Sequence, residues 1–179
     1  MSAPKAEDLR ALLRVARYLA GAGRVVYEYP WQSRPVLRVY TDSDCAGCVA
    51  TRCSTSRGAV LLRGHLLKHW ASTQKKITLS SGEAELGAVV RGFSEAEVHA
   101  DSDLGAELEP EVHADSSAAI GICRRCGIGK VRHLAVAQLW VQELVRDKTC
   151  RLFKVLGTEN PADLLTKPLS RVEIDGHLI

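Results

Sequence analysis

Two acidic side chains each follow a short apolar run that is typical of a buried β-strand. Residues 36–41 lead into Asp42, and residues 112–114 lead into Asp115. In open α/β sheets, ligands bind at the edge formed by the carboxyl ends of the strands. We therefore expect both carboxylates to lie at such an edge.

Two further acids stand at the starts of predicted helices. Ser80 and Glu83 have the spacing of a capping box, so Glu83 is explained as a cap and Glu85 is left without a capping role. Asp163 lies in the first turn after Pro161, where the helix dipole favours an acid. Two divalent cations held by such carboxylates can activate a water and stabilise the leaving oxygen in phosphodiester hydrolysis. Mg²⁺ prefers oxygen ligands of this kind.

Ordinary structural roles also fit the aspartates when each is taken alone. Asp42 and Asp44 fit turn positions, Asp115 fits a cap of the helix that follows it, and Asp163 complements a helix dipole. Only the order of the acids and the sequence around each of them separates a catalytic site from four unrelated structural residues.

Hydrophobic spacing predicts the elements that would position these acids. A helix over residues 5–20 and a short strand over 25–29 precede the main sheet. The sheet and its helices are predicted as strands over 34–42, 58–63, 66–71, 112–115 and 151–155, and helices over 80–93, 116–125, 133–147 and 160–167. The predicted fold class is α/β, a mixed sheet with helices on its faces.

One hexapeptide occurs twice. The sequence EVHADS stands at residues 97–102 and again at 111–116. Only the second copy precedes an apolar helical run, so we predict a strand there and place Asp101 of the first copy in a helix end or loop.

Composition indicates a globular chain without a membrane segment. The 179 residues suit one domain with a hydrophobic core, and the net charge of +3 does not by itself indicate nucleic-acid binding. No apolar run approaches the roughly 20 residues of a membrane helix, and no secretory signal opens the chain. Basic side chains do cluster, at Lys68, His69, Lys75 and Lys76 and at Arg124, Arg125, Lys130, Arg132 and His133.

Cysteine spacing raises a zinc hypothesis. Cys45 and Cys48 form one Cys-x-x-Cys pair, and Cys123 and Cys126 form another. Zinc sites use such pairs, but usually with a shorter interval between them. Reduced thiols of an intracellular protein are the alternative.

Four ordered motifs together resemble the RNase H domain of copia-type LTR-retrotransposon polyproteins. They are YTDSDCAGC at residues 40–48, LSSGEAEL at 79–86, HADSSAAI at 113–120 and NPADLLTKPL at 160–169. Residues 12–19 resemble the helix that joins reverse transcriptase to RNase H in those polyproteins. The resemblance divides the chain into a connection at 1–32, an RNase H-like domain at 33–169 and a tail at 170–179.

This resemblance implies a fold, a reaction and a site. The fold would be a five-stranded mixed sheet flanked by helices, and the reaction would be cleavage of the RNA strand of an RNA/DNA hybrid by two Mg²⁺ ions, for which Mn²⁺ can substitute. Asp42 would bridge the metals, Glu85 would hold one metal and orient the water, and Asp115 and Asp163 would complete the ligands. Asp44 and Ser116 would not bind the metals directly but would help to position these ligands.

Binding partners follow from the same resemblance. The residues expected to bind the hybrid are Lys75, Lys76, Arg124, Arg125, Lys130, Arg132 and His133. Reverse transcriptase of the same polyprotein would be a protein partner, and no membrane and no small-molecule cofactor are expected. The compartment would be intracellular, either a cytoplasmic retroelement particle or the nucleus.

Departures from the family pattern support other hypotheses. Cys45 stands where the family usually has an aromatic residue, and Ala135 stands where it often has an Asp. The stretch between Glu85 and Asp115 is short, and the loop before Asp163 contains no histidine, which many cellular RNases H have there. A catalytically inactive remnant with weak or no nucleic-acid binding is therefore the alternative to an active ribonuclease. A zinc-binding interaction module is the third hypothesis.

Overall fold

A computed structural model of the chain describes residues 4–21, 24, 26, 28–31, 36–101, 108–127, 129 and 140–165. The chain divides into two units, Met1–Trp31 and Gln32–Ile179. In the first unit, helix α1 spans Ala6–Gly21, as predicted. The strand predicted over 25–29 is wrong for the residues described there, which adopt no regular structure. A lone extended segment is not stable without a partner strand.

The second unit contains a five-stranded mixed sheet, which confirms the predicted fold class. Its strands are β1 Leu37–Ser43, β2 Thr55–Leu62, β3 His65–Thr73, β4 Pro110–Ala114 and β5 Arg151–Lys154. The strand order is β3-β2-β1-β4-β5. Strands β1, β2 and β3 pair antiparallel, whereas β4 pairs parallel with both β1 and β5. The parallel pairs bring the carboxyl ends of β1 and β4 to one edge.

Helix α2, Ser81–Ala100, covers one face of the sheet and encloses the main core. Phe93 and Val89 of the helix are fully buried with Val39 of β1 and Val112 of β4. Gly92 lets the helix approach closely, because a Cβ at this position would stand 2.4 Å from Thr41 Cγ2. The absence of a side chain at Gly92 therefore sets how near α2 lies to β1.

Two shorter helices and two 3₁₀ helices complete the described residues of this unit. Helix α3 spans Ser117–Arg124 and helix α4 spans Trp140–Arg146. The first part of the helix predicted over 133–147 lies outside the described residues. The described part of the helix predicted over 160–167 is a 3₁₀ helix, Pro161–Leu165, preceded by a 3₁₀ turn at Gly157–Glu159, and residues 166 and 167 lie outside the described residues. No described helix has the length and apolar character needed to cross a bilayer.

The repeated hexapeptide adopts two different structures. The copy beginning at Glu97 forms the end of α2, with Asp101 as its C-cap, and the copy beginning at Glu111 forms most of β4. Val98 of the first copy is 62% exposed, whereas Val112 of the second is fully buried. The prediction for both copies is confirmed, and the difference arises from what each copy packs against.

Candidate metal centre

Asp42 and Asp115 lie side by side at the carboxyl edge of the sheet. Thr41 and Ala114 are partners in the parallel β1–β4 register, so the residues that follow them are neighbours. A hydrogen bond from Thr41 Oγ1 to the carbonyl oxygen of His113, 3.3 Å long, holds the two strand ends together. The predicted meeting of these two carboxylates is therefore observed.

Glu85 reaches the same point from the first turns of α2. Ser80 caps this helix by accepting a 3.3 Å hydrogen bond from the Glu83 backbone N–H, and the Glu83 carboxylate accepts a 2.9 Å bond from the Leu79 N–H. Glu83 therefore belongs to the cap. Glu85, two residues on, joins the cluster instead: one oxygen each from Asp42, Glu85 and Asp115 lie within 4.8 Å of one another.

The environment of Glu85 is unfavourable for a charged carboxylate. Its Oε2 atom is buried and has no hydrogen-bond partner. Burial, together with the nearby negative charges of Asp42 and Asp115, raises the pKa of Glu85 from 4.5 to about 8, against a backbone hydrogen bond from Ser43 that lowers it. Both effects disfavour the ionised form, and a bound cation would reverse them.

Asp163 stands next to this cluster but is not within its 4.8 Å group. It is buried in the Pro161–Leu165 3₁₀ helix, and its charge also contributes to the raised pKa of Glu85. The structure thus brings three of the four predicted ligands together and places the fourth close enough to act on one of them.

Asn160 holds the Asp163 segment against the sheet. This fully buried side chain donates from Nδ2 to the Thr41 carbonyl oxygen at 3.0 Å and accepts at Oδ1 from the Ala162 N–H at 3.1 Å. Sequence reasoning treated Asn160 only as part of a helix-opening motif. Its position immediately before Pro161, where an Asn commonly caps a helix, was the signal for a structural role.

Asp44 and Ser116, which were predicted to support the ligands, each accept hydrogen bonds from nearby backbone N–H groups. Asp44 accepts hydrogen bonds from the backbone N–H groups of Thr55, at 2.7 Å, and Gly47, at 3.3 Å, so it shapes the loop after β1. Ser116 caps α3 by accepting from the Ala119 N–H at 3.2 Å. Ser116, not Asp115, is therefore the side chain that caps this helix.

The predicted nucleic-acid-binding residues divide into three groups. Lys75 and Lys76 are exposed on the segment between β3 and α2. Arg124 donates to the Leu152 carbonyl oxygen at 2.8 Å, which ties α3 to β5, and Arg125 follows it. Lys130, Arg132 and His133 lie outside the described residues.

Gln74 is a connecting residue that sequence reasoning missed. Its Nε2 donates to Ser56 Oγ on β2 and to the Ala84 carbonyl oxygen on α2, both at 2.8 Å, and reaches Ser43 Oγ on β1 at 3.5 Å. The amide therefore fastens the start of α2, beside Glu85, to two strands. A polar residue in a loop gives no sequence signal for such contacts.

The cysteine pairs do not assemble a zinc site in the part of the chain that the structure describes. Cys123 is buried on α3, and burial raises the pKa of its thiol to about 12, whereas Cys45 is exposed in the β1–β2 loop. The carboxylate cluster is the single group of three or more metal-binding side chains among the described residues. The zinc hypothesis has no structural support there.

The carboxylate cluster fits a hard divalent cation. All three converging donors are oxygens, which Mg²⁺ and Mn²⁺ accept. The buried oxygen of Glu85 without a partner is the kind of group that a cation would satisfy. Among the described residues, Asp42, Glu85 and Asp115 would hold the cation, with Asp163 beside them.

Sequence comparison finds similarity between this chain and a segment of transposon polyproteins. The chain is 32% identical to the retrovirus-related Pol polyprotein from transposon RE1 of Arabidopsis thaliana, over 96% of this chain and 12% of that protein. It is 29% identical to the corresponding polyprotein from transposon TNT 1-94 of Nicotiana tabacum, over 94% of this chain and 13% of that protein. The chain is thus similar to a segment of these retrovirus-related Pol polyproteins, and it spans about an eighth of their length. No family model matches it.

Structural comparison confirms the RNase H fold. LC11-RNase H1, isolated from compost by a metagenomic approach, superposes with a TM-score of 0.53 at 18% identity, over 80% of this chain and 99% of that one. RNase H1 from the halophilic archaeon Halobacterium salinarum NRC-1 gives a TM-score of 0.54 at 14% identity, over 72% of this chain and 92% of that one. A crystal structure of LC11-RNase H1 in complex with an RNA/DNA hybrid is also similar, with a TM-score of 0.51.

Proposed function

We propose that this chain is a metal-dependent endoribonuclease that cleaves the RNA strand of RNA/DNA hybrids. The observation that carries the proposal is the convergence of Asp42, Glu85 and Asp115 at one sheet edge, with a buried Glu85 oxygen that has no hydrogen-bond partner. The RNase H fold and the homologous Pol polyproteins support the same reaction class.

The roles of the residues follow from their positions. A divalent cation bound at the cluster would supply an activated water and neutralise charge on the leaving oxygen. Asp42 and Asp115 present carboxylates from adjacent strand ends, so their separation is fixed by the β1–β4 hydrogen bonds. Glu85 is carried on a capped helix, and its proton must leave before it can bind a cation.

Substrate choice is the second part of the proposal. LC11-RNase H1 binds an RNA/DNA hybrid, and the same substrate class is proposed for this chain. Lys75 and Lys76 stand exposed just before the helix that carries Glu85, where they would contact backbone phosphates. Recognition of this kind depends on duplex shape and the 2′-hydroxyl groups, not on base sequence. Reverse transcriptase of the same polyprotein is the proposed protein partner.

The inactive-remnant hypothesis is the competing function, and the altered stretch between Glu85 and Asp115 is its basis. Helix α2 nevertheless continues without a break to Ala100, and β4 pairs in register on both sides. The elements that carry Glu85 and Asp115 are therefore intact, which favours an active enzyme.

A substrate panel tests the proposal. The purified chain would be incubated with Mg²⁺ or Mn²⁺ and four end-labelled substrates of one sequence: RNA/DNA hybrid, RNA duplex, DNA duplex and single-stranded RNA. We expect cleavage of the RNA strand in the hybrid alone, abolished by EDTA. Absence of cleavage by folded protein with both metals would contradict the proposal and favour the inactive remnant.

A further inference from the structure

Arg57 carries a positive charge on the strand that pairs with the strand of Asp42. It lies on β2 and is the cross-strand partner of Asp42 in the antiparallel β1–β2 register. Side chains of directly opposed residues on antiparallel strands project from the same face, with Cβ atoms about 4.5–5.5 Å apart. The side chains of Arg57 and Asp42 therefore leave the sheet at adjacent points on the same face.

The contacts of Arg57 do not explain why this side chain is buried. Only 14% of it is exposed, and its Nη2 atom is 3.6 Å from Asp44 Oδ2. The Nε and Nη1 atoms are buried without any hydrogen-bond partner. A buried cation needs charge compensation. Asp44 supplies only part of it, because its other oxygen already accepts two backbone hydrogen bonds.

The acidic cluster, in contrast, needs positive charge to balance its carboxylates. Asp42, Glu85 and Asp115 bring their oxygens within 4.8 Å, so in the absence of a cation a negative charge on one of them disfavours a negative charge on the others. The positive charge of Arg57, on the residue paired with Asp42, would offset part of that repulsion. The same charge repels an incoming divalent cation.

We propose that Arg57 is an internal counter-cation of the carboxylate cluster. It stabilises the ionised Asp42 in the metal-free protein and lowers the affinity of the cluster for divalent cations, so it sets the cation concentration at which the site fills. Arg57 is in this sense a positioning and tuning residue, not a catalytic one. The lowered affinity for cations rests on the proposed metal centre, whereas the stabilisation of Asp42 does not.

The first experiment measures the coupling between Arg57 and Asp42 in the metal-free full chain. Unfolding by urea would be followed in EDTA for wild type, Arg57→Met, Asp42→Asn and the double variant. We expect the loss of stability caused by Arg57→Met to be larger when Asp42 is present than in the Asp42→Asn background. A second double-mutant cycle, with Asp44→Asn in place of Asp42→Asn, measures the coupling between Arg57 and Asp44 in the loop after β1. Coupling to Asp44 alone, with none to Asp42, would overturn the inference.

The second experiment titrates Mn²⁺ into the metal-free proteins by calorimetry. We expect Arg57→Met to bind Mn²⁺ at least about fivefold more tightly than wild type, because a nearby positive charge is gone. Arg57→Lys retains the charge and should bind close to wild type. A packing defect would not raise affinity, so equal or weaker binding by Arg57→Met than by Arg57→Lys would contradict the proposal.

The two experiments separate this inference from the proposed function. If wild type binds no Mn²⁺ but Arg57 and Asp42 are coupled in EDTA, the metal-dependent function fails and the counter-charge stands. If wild type binds Mn²⁺ and cleaves the hybrid but the coupling is absent, the function stands and the role of Arg57 is wrong.

Discussion

The side-chain amide of Asn160 donates a 3.0 Å hydrogen bond to the carbonyl oxygen of Thr41, the residue immediately before Asp42. The same side chain accepts from the Ala162 N–H, one residue before Asp163. One buried amide therefore fixes the spacing between the segments that carry two of the candidate metal ligands.

Replacing Asn160 tests this link. Asn160→Asp keeps an acceptor for the Ala162 N–H but puts a carboxylate oxygen against the Thr41 carbonyl. We expect a loss of about 3 kcal/mol in the free energy of unfolding, measured in urea, together with slower hybrid cleavage. Glu159→Gln, at the exposed neighbouring position, is the control and should change stability by less than about 0.5 kcal/mol. Equal stability of the two variants would show that the amide is not needed.

The raised pKa of Glu85 predicts a pH-dependent stability of the metal-free protein. Between the ordinary value of 4.5 and about 8, the folded state keeps a proton that the unfolded state has lost, so stability falls as pH rises through this window. Because Gln has no proton to lose in this range, Glu85→Gln removes this fall in stability at high pH. We expect the variant to match wild type near pH 4 and to exceed it by about 2–4 kcal/mol at pH 8.5 in EDTA.

Glu83→Gln is the control for that experiment, because Glu83 caps the same helix and lies outside the cluster. It should keep the cap, because the Gln amide oxygen can also accept from the Leu79 N–H, and it should change stability by less than about 0.5 kcal/mol without any gain at high pH. A fall in stability between pH 5 and pH 8 that is the same in Glu85→Gln as in wild type would contradict the assignment of the raised pKa to Glu85.

The close approach of α2 to β1 predicts opposite effects of one substitution at two glycines. Gly92→Ala would place a Cβ 2.4 Å from Thr41 Cγ2, and we expect it to destabilise the fold by about 1–3 kcal/mol and to displace Glu85 from Asp42. Gly121→Ala, on α3, meets nothing within 4 Å and should stabilise by up to about 1 kcal/mol. Thermal unfolding of both variants checks the sign, and a neutral Gly92→Ala would show that the contact is not tight.

The exposed lysines before α2 predict a salt-dependent contribution to hybrid binding. Replacing Lys75 and Lys76 with Gln should raise KM, leave kcat nearly unchanged and reduce the slope of log affinity against log salt by about 1–2. Replacing Arg146 and Lys148, exposed in and just after α4, removes the same charge elsewhere. Equal salt slopes for the two double variants would show that charge alone, and not the position of the lysines, governs binding.

Local sequence patterns were sufficient to predict the five strands of the sheet and the meeting of Asp42 and Asp115 at its edge. Asp42 and Asp115 each follow a short strand, and the Ser80–Glu83 cap separates Glu83 from Glu85 two residues later. These signals are local, so a single sequence contains them. The repeated hexapeptide was also resolved correctly, because only the second copy precedes an apolar helical run.

Contacts between distant residues could not be predicted in the same way. Asn160 and Thr41 are 119 residues apart, and the pairing of Arg57 with Asp42 depends on the β1–β2 register. The final helix was predicted correctly in place but not in type. Over the described residues Pro161–Leu165 it is a 3₁₀ helix, and short segments of this kind lack the repeated spacing that identifies an α-helix.

The most direct test of the central claim compares wild type with Asp42→Asn in Mg²⁺- and Mn²⁺-dependent cleavage of a labelled RNA strand in an RNA/DNA hybrid. The substitution keeps the size of the side chain and removes one negative charge from the cluster. We expect wild type to cleave and the variant to lose at least about a hundredfold in rate, while its metal-free fold is as stable as wild type or more stable. A folded Asp42→Asn variant that cleaves at the wild-type rate would contradict the carboxylate cluster as the site of the reaction.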